Sequence, residues 1–120
     1  MDKAWQTVPT PHPRSEVPWK AYLQESCPHG LAIAVVDGTH VRNHHDSDFS
    51  QGGNGYRYDF VPKDEIWVDC QISSAEWPLI AFHECVEVEH MRRGQSYSRA
   101  HDAAKRLEDQ FRRTLRGGPS

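Results

Sequence analysis

No run of apolar residues in this 120-residue chain approaches the roughly 20 needed to cross a bilayer. The start, Met1-Asp2-Lys3-Ala4-Trp5, also lacks the apolar stretch of a secretion signal. A cytoplasmic protein with no membrane partner is the expectation. Cysteine is scarce and unpatterned: Cys27, Cys70 and Cys85 are odd in number and show no C-x-x-C spacing. That argues against a disulfide framework and a zinc knuckle, and free thiols are expected. Excess positive charge is missing too, since the formal net charge is −3. Nothing therefore draws the chain as a whole toward nucleic acid. The late basic residues Lys105, Arg106, Arg112, Arg113 and Arg116 are interrupted by Glu108 and Asp109, which fits a solvated helix face. Internal repeats and low-complexity segments are absent as well.

What is present is a polar but foldable composition, 37% hydrophobic and 26% charged, with 10% Trp, Tyr and Phe. The aromatic content is too high for a disordered chain, and the length suits one domain with a small core. Residues 1–29 carry Pro9, Pro11, Pro13, Pro18 and Pro28, which predicts an extended proline-rich arm with a short helical turn around Trp19 to Gln24. Residues 30–116 form the expected domain, and 117–120 a frayed, disordered tail.

Within the domain, Leu31 to Val36 reads as a strand closed by Asp37-Gly38, with Thr39 to Arg42 returning as a hairpin partner. Asn43 to Asn54 reads as a loop, its His44, His45, Asp46 and Asp48 taken as solvated polarity rather than metal ligands. Tyr56 to Val61 and Glu65 to Asp69 are predicted as an antiparallel pair across Pro62-Lys63-Asp64. Ser73-x-x-Glu76 has capping-box spacing and opens a helix to Arg93, its start displaced by Pro78 and its end set by Gly94. A second helix begins at Ser96 or Ser98 and runs to about Leu115, with Tyr97, Ala100, Ala104, Leu107, Phe111 and Leu115 as its apolar stripe. The fold class is thus α+β: a small antiparallel sheet of about three strands packed on two long C-terminal helices.

The chemistry is concentrated in His83-Glu84-Cys85-Val86-Glu87. At about 100° per residue, His83 and Glu87 fall at the centre of the helix's apolar side, among Leu79, Ile80, Val86, His90 and Met91. A carboxylate there needs a partner such as a cation. One helical turn, roughly 6 Å, separates the two side chains and lets both reach one ion, the spacing of the two ligands in H-E-x-x-H. In that motif the Glu after the first His accepts a proton from water, which is the position of Glu84. His101 on the second helix is the candidate third ligand, and Glu108 a reserve ligand or a partner that orients an imidazole. Glu87-x-x-His90 also matches the Glu-x-x-His of di-iron bundles, but that architecture needs four helices. Tyr97 is read as core packing, with a hydrogen bond to a developing oxyanion as the alternative; Cys70 and Cys85 are given no role.

The segment Glu65-Ile66-Trp67-Val68-Asp69, followed by Ile80-Ala81-Phe82-His83-Glu84, resembles the minimal zincin core of short ImmA/IrrE-type proteins. The run from Asp48-Phe49 through Glu65-Ile66-Trp67 to Gly94, Tyr97, Ala100 and His101 is similar to uncharacterised phage and prophage proteins, over about residues 48–111. The departure is Glu87, where most zincins carry the second His. A carboxylate ligand leaves less positive charge on the metal and admits harder ions such as Mn²⁺. The resemblance implies a zinc metallohydrolase of the peptidase kind, with Zn²⁺ on His83, Glu87 and His101, Glu84 as general base, and a peptide or protein substrate laid along the edge strand Glu65 to Asp69. The competing expectation is a non-catalytic zincin-like interaction protein of phage or prophage origin, braced by its metal. Substrate and oligomeric state are not specified by the sequence.

Overall fold

The structure, a computed structural model, describes residues 18–27 and 30–115. Residues 1–17 and the tail at 117–120 lie outside the described residues, and with them most of the expected arm. The architecture is α+β, a four-stranded mixed sheet with three helices. In chain order the elements are β1 (Lys20–Ser26), β2 (Ala32–Val36), α1 (Gly38–His44), β3 (Gly52–Asn54), β4 (Glu65–Asp69), α2 (Trp77–Arg92) and α3 (Tyr97–Leu115). Among the described residues no helix is long and apolar enough to cross a membrane.

The spatial order of the strands is β1-β2-β4-β3. β1 runs antiparallel to β2, β2 parallel to β4, and β3 antiparallel to β4. Side chains alternate as a pleated strand requires. Ile33, Val35, Ile66 and Val68 face the core under α2 and α3, while Ala34, Val36 and Trp67 face a second core with Val41, Phe49, Tyr58 and Val61. Both faces of the sheet are therefore covered.

Five expectations are corrected. The segment Trp19 to Gln24, expected as a helical turn of the arm, contributes to β1, whose Lys20 and Tyr22 hold Glu65 at 2.7 and 2.5 Å. Thr39 to Arg42 is helix rather than a returning strand. Asp37 does not turn a hairpin; its carboxylate accepts from the N–H groups of Thr39 and His40 and so caps α1. Gly38 is needed there because a Cβ would lie 2.1 Å from an oxygen of Asp69. Asp69 accepts from the Gly38 N–H at 3.1 Å.

The expected strand Tyr56 to Val61 is a series of turns, because the Asn54 side chain takes the N–H groups of Tyr56 and Arg57, and its carbonyl those of Arg57 and Tyr58. The strand beside β4 comes instead from the expected loop, as the glycine-rich Gly52–Asn54. β4 itself is an interior strand, all five residues buried, so it offers no free edge to a substrate.

The long helices form where expected, with two local differences. Ser73 caps only a single 3-10 turn, Ser74–Glu76, and Glu76 pairs with Arg112 at 2.7 Å rather than returning to close a capping box. α2 then starts with Pro78 in its first turn, where a missing N–H costs nothing. Its end is a Schellman arrangement: Gly94, at φ +93°, donates to Met91, and Gln95 donates to His90. On α3 only Ala100, Ala104 and Phe111 of the predicted stripe are buried; Tyr97, Leu107 and Leu115 are exposed.

Candidate metal centre

α2 lies against the sheet beside β3 and packs along α3. Its His83, Glu84 and Glu87 are all buried, although only the first and last face α3 closely enough to bond with it. Glu87, 2% exposed, is the hub. Its Oε2 lies 2.7 Å from His83 Nε2 and 2.7 Å from His101 Nδ1, and the two nitrogens are 3.2 Å apart. Two bonds of about 2.0 Å at tetrahedral angles to one zinc ion place their donor atoms roughly 3.3 Å apart. The edge between the two nitrogens matches this closely, and the two edges to Glu87 are about 0.6 Å shorter, so a small outward shift of the carboxylate admits such an ion on the open side. Among the described residues this is the one group of three His, Cys, Asp or Glu side chains whose ligand atoms all lie within 4.8 Å of one another.

Each member of the triangle is held from behind. Glu108, one of the two roles expected for it, lies 2.9 Å from His83 Nδ1 and orients the imidazole rather than joining the triangle. Arg112 holds Glu108 at 2.8 Å and reaches Glu76 at 2.7 Å, which locks α3 to the start of α2. A neutral His83 donating from Nδ1 to Glu108 leaves the Nε2 lone pair directed at the centre. Behind Glu87 stands Asn54, fully buried at the end of β3. Because its Oδ1 accepts two backbone N–H groups, its amide nitrogen must face α2, where it donates to Glu84 Oε1 at 2.8 Å and Glu87 Oε1 at 3.3 Å. Glu87 thereby gives one oxygen to Asn54 and the other to the two histidines.

The electrostatics follow from burying several carboxylates together. For His83, burial disfavours the charged ring, but the Glu87 hydrogen bond, the charges of Glu84 and Glu87 and the Glu108 hydrogen bond outweigh it and raise the pKa to about 9. Glu84 is pushed up to about 8 by burial and by the charge of Glu87, with His83 and Asn54 opposing. The cluster draws in positive charge, and a divalent cation would replace the His83 proton.

These groups line a cavity of about 470 Å³, with Gly52 and Gly53 of β3 on one wall and Tyr97 and Arg57 at its rim. Tyr97 is not the core residue expected; it is 40% exposed, its hydroxyl 3.5 Å from His101 Nδ1. His90 is turned away and bonds Gln95 at 3.0 Å, so no Glu87-His90 pair forms. His45 stacks on Phe60 and His40 on Trp19, and among the described residues no metal-sized cluster gathers at His44, His45, Asp46 and Asp48. Cys27, Cys70 and Cys85 are free thiols, and Cys85 sits in the core on the side of α2 away from the centre. Asn54 is a site residue that the sequence does not mark; there it reads as the last breaker of the loop, in Gly52-Gly53-Asn54. Only its role in the local turn carries a sequence signal; its contact with Glu84 spans 30 positions.

Fold and site thus define an α+β protein with a supported His-Glu-His triangle between two helices. Comparison of the chain with protein-family models, with curated proteins and with solved structures gave no match.

Proposed function

We propose that the protein is a divalent-metal hydrolase of the peptidase kind, binding zinc through His83, Glu87 and His101. The observation that carries this reading is the convergence of three donor atoms 2.7 to 3.2 Å apart on the wall of an open cavity. Two imidazoles and one carboxylate are also a ligand set of hydrolytic zinc sites. Glu87 in place of a second histidine on the helix changes the position of the carboxylate, while His101 restores the donor count. A cation held there supplies Lewis-acid polarisation of a carbonyl and acidifies water.

Glu84, one residue from His83 and on the same cavity, would be the base toward a water acidified by such a cation and would return the proton to the leaving amine. Asn54 fixes the Glu84 carboxylate in place, and Glu108 keeps His83 in the binding tautomer. An extended substrate lies against β3, the sheet edge that lines the cavity, rather than against β4. Tyr97 is placed to donate to a developing oxyanion.

The test begins with metal counted in protein purified without chelator, then with Glu84→Gln assayed on a peptide library by mass spectrometry. One metal per chain, retained in Glu84→Gln while cleavage falls by at least 100-fold, is expected. Cleavage that survives Glu84→Gln would remove Glu84 as the base. Metal binding without any cleavage by the unsubstituted protein would leave a brace that clamps α2 to α3, the second reading of the same triangle.

A further inference from the structure

The charged groups that line the cavity are almost all committed to one another. Glu84 is held by Asn54, Glu87 by the two histidines, Glu108 by His83 and Arg112, and Lys105 lies 3.9 Å from Asp109. Arg57 is different. Its side chain is exposed and hydrogen-bonds Tyr97, but among the described residues no carboxylate forms an ion pair with it; Asp46 and Glu84 act on it only as more distant charges. Its guanidinium carbon lies 4.8 Å from the ring centre of Tyr58 and 4.8 Å from that of Tyr97. Two aromatic faces thus fix a planar cation that would otherwise sweep through solvent.

The position is as informative as the charge. Tyr97 is in contact with both Arg57 and the centre, its ring 4.8 Å from the guanidinium carbon and 5.5 Å from the ring of His101. The backbone of Arg57 is set by Asn54, whose Oδ1 accepts its N–H at 3.2 Å while the other end of the same side chain holds Glu84 and Glu87. The arginine and the centre are therefore tied together by the same asparagine side chain and the same tyrosine ring. The two ring contacts hold the guanidinium carbon within about 10 Å of the His101 ring; a carboxylate on the arginine and a carbonyl at the centre cover part of that span, and one or two extended residues of about 3.3–3.6 Å each cover the rest.

We infer that Arg57 is a specificity-determining residue that binds a substrate carboxylate, one or two residues from the carbonyl at the metal. The inference rests on the metal-centre reading above and narrows its substrate class to acidic ones. A fork of guanidinium N–H groups matches a carboxylate in two parallel bonds, which Lys cannot reproduce. The carboxylate belongs either to the free C-terminus of a peptide or to an Asp or Glu side chain beside the cleaved bond.

The probes are acetyl-Ala-Ala as free acid, the same dipeptide as its amide, and acetyl-Ala-Glu amide. They are titrated into Zn²⁺-loaded Glu84→Gln protein and followed by NMR, with zinc counted in every sample. At least tenfold tighter binding of the free acid or of the Glu amide than of acetyl-Ala-Ala amide is expected, in line with charge-assisted hydrogen bonds. Whichever acidic probe shows it identifies the source of the carboxylate. Arg57→Gln should abolish the difference and Arg57→Lys should recover only part of it, both with zinc content unchanged. Equal binding of acid and amide by zinc-loaded protein, no binding of any probe, or a preference that survives Arg57→Gln would overturn the assignment of Arg57. A protein that takes up no zinc at all would instead overturn the metal centre, so the two failures are distinct.

Discussion

Asn54 and Glu87 are joined across 33 positions of sequence by a 3.3 Å hydrogen bond, and the same amide holds Glu84 at 2.8 Å. One strand-end side chain thus positions both a candidate ligand and the candidate base. Asn54→Ala should lower zinc affinity by about 10–100-fold, as loss of a supporting partner does. It should also cost the folded protein about 1–3 kcal/mol, because buried carboxylates lose a donor. Competition titration and chemical denaturation check the two effects separately.

His101 offers a contrast within the triangle. Its side chain is 41% exposed, whereas that of Glu87 is 2% exposed. In chelator-treated protein, His101→Ala should cost about 1 kcal/mol, the loss of one hydrogen bond to the buried Glu87 carboxylate, which His83 still contacts. Zinc at 100 times its dissociation constant should stabilise the unsubstituted protein by about 2.7 kcal/mol, and His101→Ala should lose most of that gain. Melting temperatures with EDTA and with added Zn²⁺ make the comparison.

The raised pKa values of His83, about 9, and Glu84, about 8, set the pH response of the chelated protein. For both groups the folded state binds the proton more tightly than the unfolded chain does. The associated stability is therefore full below the unfolded pKa, about 4.5 for Glu and 6.5 for His, and is lost as pH rises through the folded values. Melting temperature should fall from pH 5 to pH 9, with His83→Gln making the decline above pH 6.5 shallower by the share of His83 and leaving that of Glu84. Zinc must displace the His83 proton, so its apparent affinity should increase by about tenfold per pH unit between 6.5 and 8.

A fourth outcome concerns the fold alone. Gly38→Ala brings a Cβ to 2.1 Å from the Asp69 carboxylate, which is held in the sheet and bonded to Arg42 at 3.2 Å. With little room to yield, the variant should lose about 1–3 kcal/mol, the usual cost of overpacking. Urea denaturation measures it, and the zinc affinity should be unchanged because α1 lies on the face of the sheet opposite α2.

The sequence by itself determined the two long helices, the strands Ala32–Val36 and Glu65–Asp69, and the grouping of His83, Glu84, Glu87 and His101. Those signals are local: a helical turn places His83 and Glu87 together, Gly94 ends α2, and apolar runs mark the inner strands. Tertiary structure decided the rest. Asp37-Gly38 has the composition of a hairpin turn and of a helix cap alike, and the approach of Asp69 selects the cap. Gly52–Asn54 lacks the side chains of a strand and becomes one because β4 supplies the hydrogen-bonding partner. Glu65–Asp69 carries no mark of whether it is an edge strand, since that depends on which segment pairs beside it. Asn54 and Arg57 belong to the same class: their chemistry is visible in the sequence, but only packing against α2 and between two tyrosines makes them part of the site.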